Sequence, residues 1–338
     1  MRLRHLATAG LSLLMTLAAV GAATAGVLDD VRKRGMLICG FDSAYAGFAL
    51  PNKAGEWEGF NVDICKAIAA AVNVKWQAKP LTSNERFLAQ ASGAVDLLAM
   101  QNTWTMNRDT KLGVRFVATH YYDIQSFLVR KSLNAKGIAD LNGGSACVIS
   151  GSTAEVNLND LFKSRGMSYM PVTFKSGDES QLAYGSGRCD FIMGDRINLA
   201  NMRSRQASPA DHTLLDEGIG REPLSLSIRM GDDQWFSIVR WVYNGLLVAE
   251  HHGITQGNID QMVQTATDSE ATNLLGKTAS LGEDLGLDKQ FMVRAIKTVG
   301  NYGEMYERHI GPKGTLGVAR GINALWTKGG LQYAPPFK

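Results

Sequence analysis

The feature that most restricts this chain is an alternation: a short apolar run, a polar loop at its carboxyl end, then a helical pattern. Met36-Leu37-Ile38-Cys39-Gly40 reads as a strand closed by a glycine. Asn61–Val72 follows as an alanine-rich helix with Val62, Cys65, Ile68, Ala69 and Val72 on one face. Ser83-Asn84-Glu85-Arg86 offers an N-cap to a helix that stops near Gly93, and Val95–Met100 is the next strand. The second half repeats the logic with other residues. Ser145–Ile149 is a strand, Ser150-Gly151-Ser152-Thr153 a small-residue turn, Ala154 the start of a helix, and Arg188–Asp195 a strand that ends in an acid. Such alternation predicts an α/β protein with mostly parallel sheets, whose ligands sit beyond the carboxyl ends of strands.

Compartment and size narrow the reading. Arg2 and Arg4 precede an apolar stretch from Leu6 to Val20, and Ala23-Thr24-Ala25 supplies small residues where a signal peptidase reads. Residues 1–25 are therefore expected to be a signal peptide cleaved after Ala25, and the mature chain to be exported to the periplasm. Cleavage leaves 313 of the 338 residues, enough for two domains that each bury a core. The formal charge of +3 falls to about +1 without Arg2 and Arg4, and its residues are interspersed, so the basic stripe of a nucleic-acid binder is missing.

The four cysteines, Cys39, Cys65, Cys147 and Cys189, show no C-x-x-C spacing, which speaks against zinc and thioredoxin chemistry. Three pairings are open to them. Pairing sequence neighbours, Cys39–Cys65 and Cys147–Cys189, places one staple in each half and is the expectation, with buried free thiols the alternative. No phosphate loop, Ser/His/Asp set or metal-ligand spacing stands out, so no cofactor and no enzymatic activity are expected. His251-His252 reads as solvated surface, because adjacent side chains on a helix point apart.

Three strand ends carry complementary chemistry. Gln101–Asp109 is a run of hydroxyl and amide side chains that ends in Arg108 beside Asp109. Ser150–Thr153 at a helix start forms an anion seat, since free amides and the helix dipole point at it. Asp195 closes the third strand; it either caps the next helix or faces a ligand. An arginine, an anion seat and a carboxylate are the partners that the carboxylate and ammonium of an α-amino acid require. Arginine suits the first role because its planar fork makes two parallel hydrogen bonds and keeps its charge when water is excluded.

Five stretches then resemble a known family: Gly55–Asp63, Asn102–Asp109, Gly231–Phe236, Gly300–Glu304 and Asn323–Pro336 are similar to the periplasmic receptors of general L-amino acid ABC importers, family 3 solute-binding proteins. The resemblance covers essentially the whole mature chain. It implies two α/β lobes with a ligand cleft between them, joined by crossing strands near Phe127–Arg130 and Leu224–Arg229, and closing by a hinge. Lobe 1 is then discontinuous, residues 26–130 and 224–338, and lobe 2 is 131–223. The implied partners are a free L-amino acid and an inner-membrane ABC permease, with the receptor a monomer.

The resemblance also implies roles. Arg108, with Thr103 and Thr105 as hydroxyl neighbours, matches the carboxylate grip; Ser152 and Thr153 match the helix-start groups that meet the same carboxylate. Asp195 matches the acid that takes the ammonium, and Tyr45 and Phe48 the aromatic wall along the ligand side chain. The sequence departs from the family at Met100-Gln101-Asn102 and at Arg196-Ile197, near the expected side-chain end of the pocket. Asp42 has two readings there: a carboxylate that favours cationic side chains, or an Asx-turn that binds its own backbone, with Arg196 near enough to offset its charge. Two other functions remain open to such a scaffold, a sensor that reports its loaded state to a membrane receptor and a dehydratase-type enzyme.

Overall fold

A computed structural model describes residues 26–278 and 281–338; the expected leader, residues 1–25, lies outside them. The sheet runs Lys75–Pro80, Met36–Phe41, Leu97–Leu98, Ile219–Arg229, Val114–Arg130, Phe191–Asp195, Ser145–Ile149 and Met170–Phe174, with His212–Leu214 also paired to Val114–Arg130. At one end Met36–Phe41 pairs in parallel with Lys75–Pro80 and with Leu97–Leu98. At the other, Ser145–Ile149 pairs in parallel with Met170–Phe174 and Phe191–Asp195. These are two α/β lobes, and two antiparallel strands hold them together.

Val114–Arg130 is the longer of those strands. Its 17 residues reach roughly 55 Å, enough to serve both lobes. From Val114 to Tyr121 it pairs with Leu224–Arg229, while Gln125–Val129 pairs with Phe191–Asp195. Pairing with the returning strand continues, in irregular register, through Tyr122, Asp123 and Gln125, and the second-lobe strand joins at Gln125, just ahead of the crossing read from the sequence. Register irregularities in the partner lie at Ile219/Glu222 and Leu224/Ser225, beside that junction. The C-terminal segment grips the same place: the Asn323 side chain accepts from the Tyr122 N–H (2.7 Å) and donates to the Tyr122 carbonyl (3.0 Å).

The first lobe centres on the helix Phe60–Val72, which is buried on nearly all sides and not on the single face that its periodicity suggests. The far side is covered by the helices Asp233–His251 and Phe291–Val299, which return late in the chain. Arg294 closes that contact by donating to the Ala70 and Ala71 carbonyls in the last turn of the helix, at 2.9 and 2.8 Å. Both expected disulfides are present: Cys39–Cys65 ties a strand to this helix, and Cys147–Cys189 lies in the second lobe. No helix among the described residues is long and apolar enough to cross a membrane.

Candidate functional site

The carboxyl ends of Met36–Phe41, Leu97–Leu98, Ser145–Ile149 and Phe191–Asp195 converge between the lobes on a cavity of about 610 Å³, its mouth included. Of the nine ligand-binding residues read from the sequence, Asp42, Tyr45, Thr103, Arg108, Ser152, Thr153 and Asp195 line it. Phe48 and Thr105 do not. Phe48 is buried in the first lobe, edge-on to Phe60 and Tyr121, and of the two buried aromatics only Tyr45 also borders the cavity. Thr105 serves as N-cap of the helix Met106–Lys111, its hydroxyl accepting from the Arg108 N–H at 3.3 Å, so it supports Arg108 from behind.

Arg108 is buried, and its guanidinium donates to the Thr103 carbonyl (3.0 Å) and, across the cleft, to the Gly151 carbonyl (3.2 Å). Asp109 is not its partner. That carboxylate accepts from the Trp104 indole (3.1 Å) and the Phe116 amide (3.2 Å), which leaves the Arg108 charge facing the cavity and Glu222. Burial lowers the guanidinium's proton affinity, and the Glu222 and Asp195 charges oppose that shift.

The second lobe answers with a helix start. Ser152 caps Thr153–Ser164, accepting from the Glu155 N–H at 3.1 Å. The Thr153 hydroxyl lies 3.2 Å from that of Thr103 and within bonding distance of Gln125 Nε2 (3.0 Å) and Glu222 Oε2 (3.2 Å). Asp195 makes no cap bond to its helix; its carboxylate meets Asn198 Nδ2 (3.2 Å) and Gln125 Nε2 (3.5 Å). Burial, then the Glu222 and Asp123 charges, push its proton affinity well up, the state of an acid short of a cation.

Sequence reasoning missed Arg86, Glu222 and Gln125. Arg86 was read as part of a cap, yet Thr82 and Glu85 close that turn, and Arg86 folds into the cavity wall beside Ser83. It donates to the Ser83 carbonyl (2.7 Å) and reaches Gly151 (3.4 Å). Burial and then the neighbouring Arg108 charge lower its proton affinity to about 9. Its Nε, Gln101 Nε2 and Asn198 Oδ1 are buried without a hydrogen-bond partner among the described residues, and all three residues line the cavity. Glu222 enters from the returning strand opposite Asp123, a placement that only sheet register reveals.

Asp42 takes the Asx-turn, accepting from the Ala44 N–H at 3.0 Å. Burial lifts its carboxyl to about 6, against the pull of that bond and of the Arg86 charge. Arg196 stands elsewhere, on the rear of the hinge, 3.9 Å from Asp216, and does not line the cavity. His251 and His252 do not point apart: the helix ends at His251, and the two rings come within 4.9 Å, the first against Trp326. With Glu270 they place three donor atoms within 4.8 Å of one another, where His252 Nε2 and Glu270 share a hydrogen bond of 2.9 Å.

Two lobes that close over a chamber with charges of both signs on its walls are the fold and site of a two-lobed periplasmic binding protein. Residues 37–312 match the bacterial extracellular solute-binding proteins, family 3, and the chain belongs to that family. It is 45% identical to the glutamate/glutamine/aspartate/asparagine-binding protein BztA of Rhodobacter capsulatus, over 94% of this chain and 95% of that one. To the general L-amino acid-binding periplasmic protein AapJ of Rhizobium johnstonii it is 46% identical, over 95% and 96%. A solved ABC transporter periplasmic binding protein from Brucella ovis with glutathione bound superposes with a TM-score of 0.89 at 44% identity, covering 93% of this chain and all of that one.

Proposed function

We propose that this chain is a periplasmic receptor that closes on a free L-amino acid and delivers it to an inner-membrane ABC permease, acting as a monomer after cleavage at Ala25. One observation carries the reading: Arg108 from one lobe and Asp195 from the other border the same chamber, a guanidinium and a carboxylate placed to meet the two charges of an α-amino acid. Arg108 takes the α-carboxylate, helped by the Thr103 hydroxyl and the helix start at Ser152 and Thr153. Asp195 takes the α-ammonium, which supplies the missing cation. Tyr45 bounds the side-chain end. The lobes are residues 26–130 with 224–338, and 131–223, except that the end of the long strand from Gln125 onward packs with the second lobe, and the bend falls beside Tyr121–Gln125, where the register is irregular.

The side-chain end points to acidic and amide ligands, not to the cationic ones first expected from Asp42. The Asx-turn occupies that carboxylate, while the Arg86 Nε and Gln101 Nε2 stand ready to donate. The relatives named for glutamate, glutamine, aspartate and asparagine support the same choice. Calorimetry on tag-free mature protein against the common L-amino acids tests it: Glu, Gln, Asp and Asn bind more tightly than Lys and Arg, and the reverse order rejects the assignment. Delivery to a permease, as opposed to signalling through a membrane receptor, is tested by amino-acid uptake in cells from which the protein has been deleted. Lost uptake supports delivery.

A further inference from the structure

We infer that closure is held by a latch outside the ligand cavity, formed by Arg205, Asn201 and Gly177 of the second lobe against the carbonyls and side chains of Ala44–Ala46 in the first. The inference rests on the reading that the cleft closes on its solute.

Arg205 caps the helix Arg196–Ser204 and reaches across to the Ala44 carbonyl at 2.8 Å, with Asp178 of its own lobe at 3.2 Å steadying the guanidinium. One turn earlier Asn201 donates to the Ala46 carbonyl at 3.2 Å. Donors and acceptors lie in opposite lobes, so these bonds require the lobes to approach. None of these three second-lobe residues lines the ligand cavity, whereas the loop they hold carries Asp42 and Tyr45, which do.

Gly177 makes the same contact steric. It opens the helix Gly177–Gly185 with an ordinary backbone angle, so no turn demands a glycine there. A glycine in that position sacrifices helix stability relative to alanine. The space explains it: a Cβ at 177 would stand 2.6 Å from the Tyr45 hydroxyl and 3.0 Å from the Ala44 Cβ, both in the opposite lobe. The missing side chain is the room into which the loop docks.

A latch that touches the protein and not the ligand multiplies every affinity by one factor and leaves the rank order of ligands unchanged. Most of that factor lies in the release rate, since a closed complex must unlatch before it opens. Arg205→Ala is expected to weaken all amino-acid ligands by about tenfold, a figure reduced from that of a fully buried charged hydrogen bond because the guanidinium is partly exposed. Arg205→Lys keeps one donor and restores part of the loss. Gly177→Ala is expected to raise every dissociation constant by at least as much, though unequally between ligands, because its methyl also displaces the Tyr45 hydroxyl on the cavity wall. Small-angle scattering at saturating ligand then shows a larger radius of gyration than for the wild type.

The test is calorimetry and stopped-flow release on tag-free wild type, Arg205→Ala, Arg205→Lys and Gly177→Ala with four amino acids. Thermal unfolding of the ligand-free proteins accompanies it, and its midpoints stay within about 2 °C for Arg205→Ala, as expected for contacts made on closure. Equal fold-losses across ligands for the Arg205 variants, carried by faster release, support the latch. Unchanged affinities, losses for the Arg205 variants that differ several-fold between ligands, or a ligand-free midpoint lowered in step with affinity overturn it. Wild-type binding that Arg108→Ala abolishes, with these variants unaffected, removes the latch and leaves the receptor reading standing. A wild type that binds no amino acid removes both.

Discussion

Two arginines border the same chamber and reach it by different routes. Arg108 follows a strand end, a hydroxyl run and a helix start, all within ten residues, and that local pattern already sets its direction. Arg86 sits in what reads as an ordinary capped helix, and turns into the cavity only because the strand and loop beyond Pro80 bring it against Gly151 of the other lobe. The difference is one of range. Chemistry encoded within a single strand–loop–helix unit can be read from sequence, and chemistry assembled by sheet order cannot. The two arginines also divide by proposed function: Arg108 grips what all amino acids share, and Arg86 sorts side chains.

The largest expected effect strikes the shared end. Removing one member of a buried, hydrogen-bonded charge pair costs roughly 2–5 kcal/mol, so Arg108→Ala should weaken every amino acid by at least about thirtyfold. A dissociation constant unchanged in calorimetry would cancel its role. Arg86→Gln is expected to break the symmetry instead. It should weaken Glu and Asp by about tenfold more than Gln and Asn, since a charge-assisted bond is roughly twice as strong as a neutral one. Equal losses for acids and amides would return Arg86 to a structural role.

The same contrast organises what was legible of the fold. The strands Met36–Gly40, Ser145–Ile149 and the run to Asp195 were readable because each is a compact apolar run with a clear end, and the cysteine pairs followed the two halves. Hidden were the all-round burial of Phe60–Val72, covered by helices more than 160 residues later, and Glu222, whose place is a matter of register. Phe48 shows a third limit. An aromatic residue three positions from Tyr45 has the same composition whether it lines a cavity or packs a core, and only the turn of the loop decides.

The smallest expected effect on ligand discrimination is that of Asp42, whose change is read in stability. Burial lifts its carboxyl from 3.8 to about 6, so the folded chain holds a proton that the unfolded chain has released across that window. Stability is therefore lost as pH rises from about 4 to 6, by at most about 3 kcal/mol from this group. Asp42→Asn should melt with the wild type near pH 4 and above it at pH 7.5, both saturated with Gln so that the cleft is closed. It should also change the affinities for Arg and Gln by similar factors, because the Asx-turn already holds the carboxylate. A selective loss of Arg binding would show instead that Asp42 reads a cationic side chain.

Arg108 of the first lobe, with the helix start of the second, is proposed to hold the ligand's carboxylate, and Asp195 of the second lobe its ammonium. Calorimetry of the tag-free protein with L-glutamate, with its analogue lacking the α-amino group and with its analogue lacking the α-carboxylate tests both contacts at once, and Asp195→Asn repeats the ammonium arm on the protein side. The account predicts tight binding of L-glutamate and a loss of at least about thirtyfold for each deletion, with Asp195→Asn bringing the first two ligands close to parity. Comparable affinity of the wild type for all three ligands would contradict it.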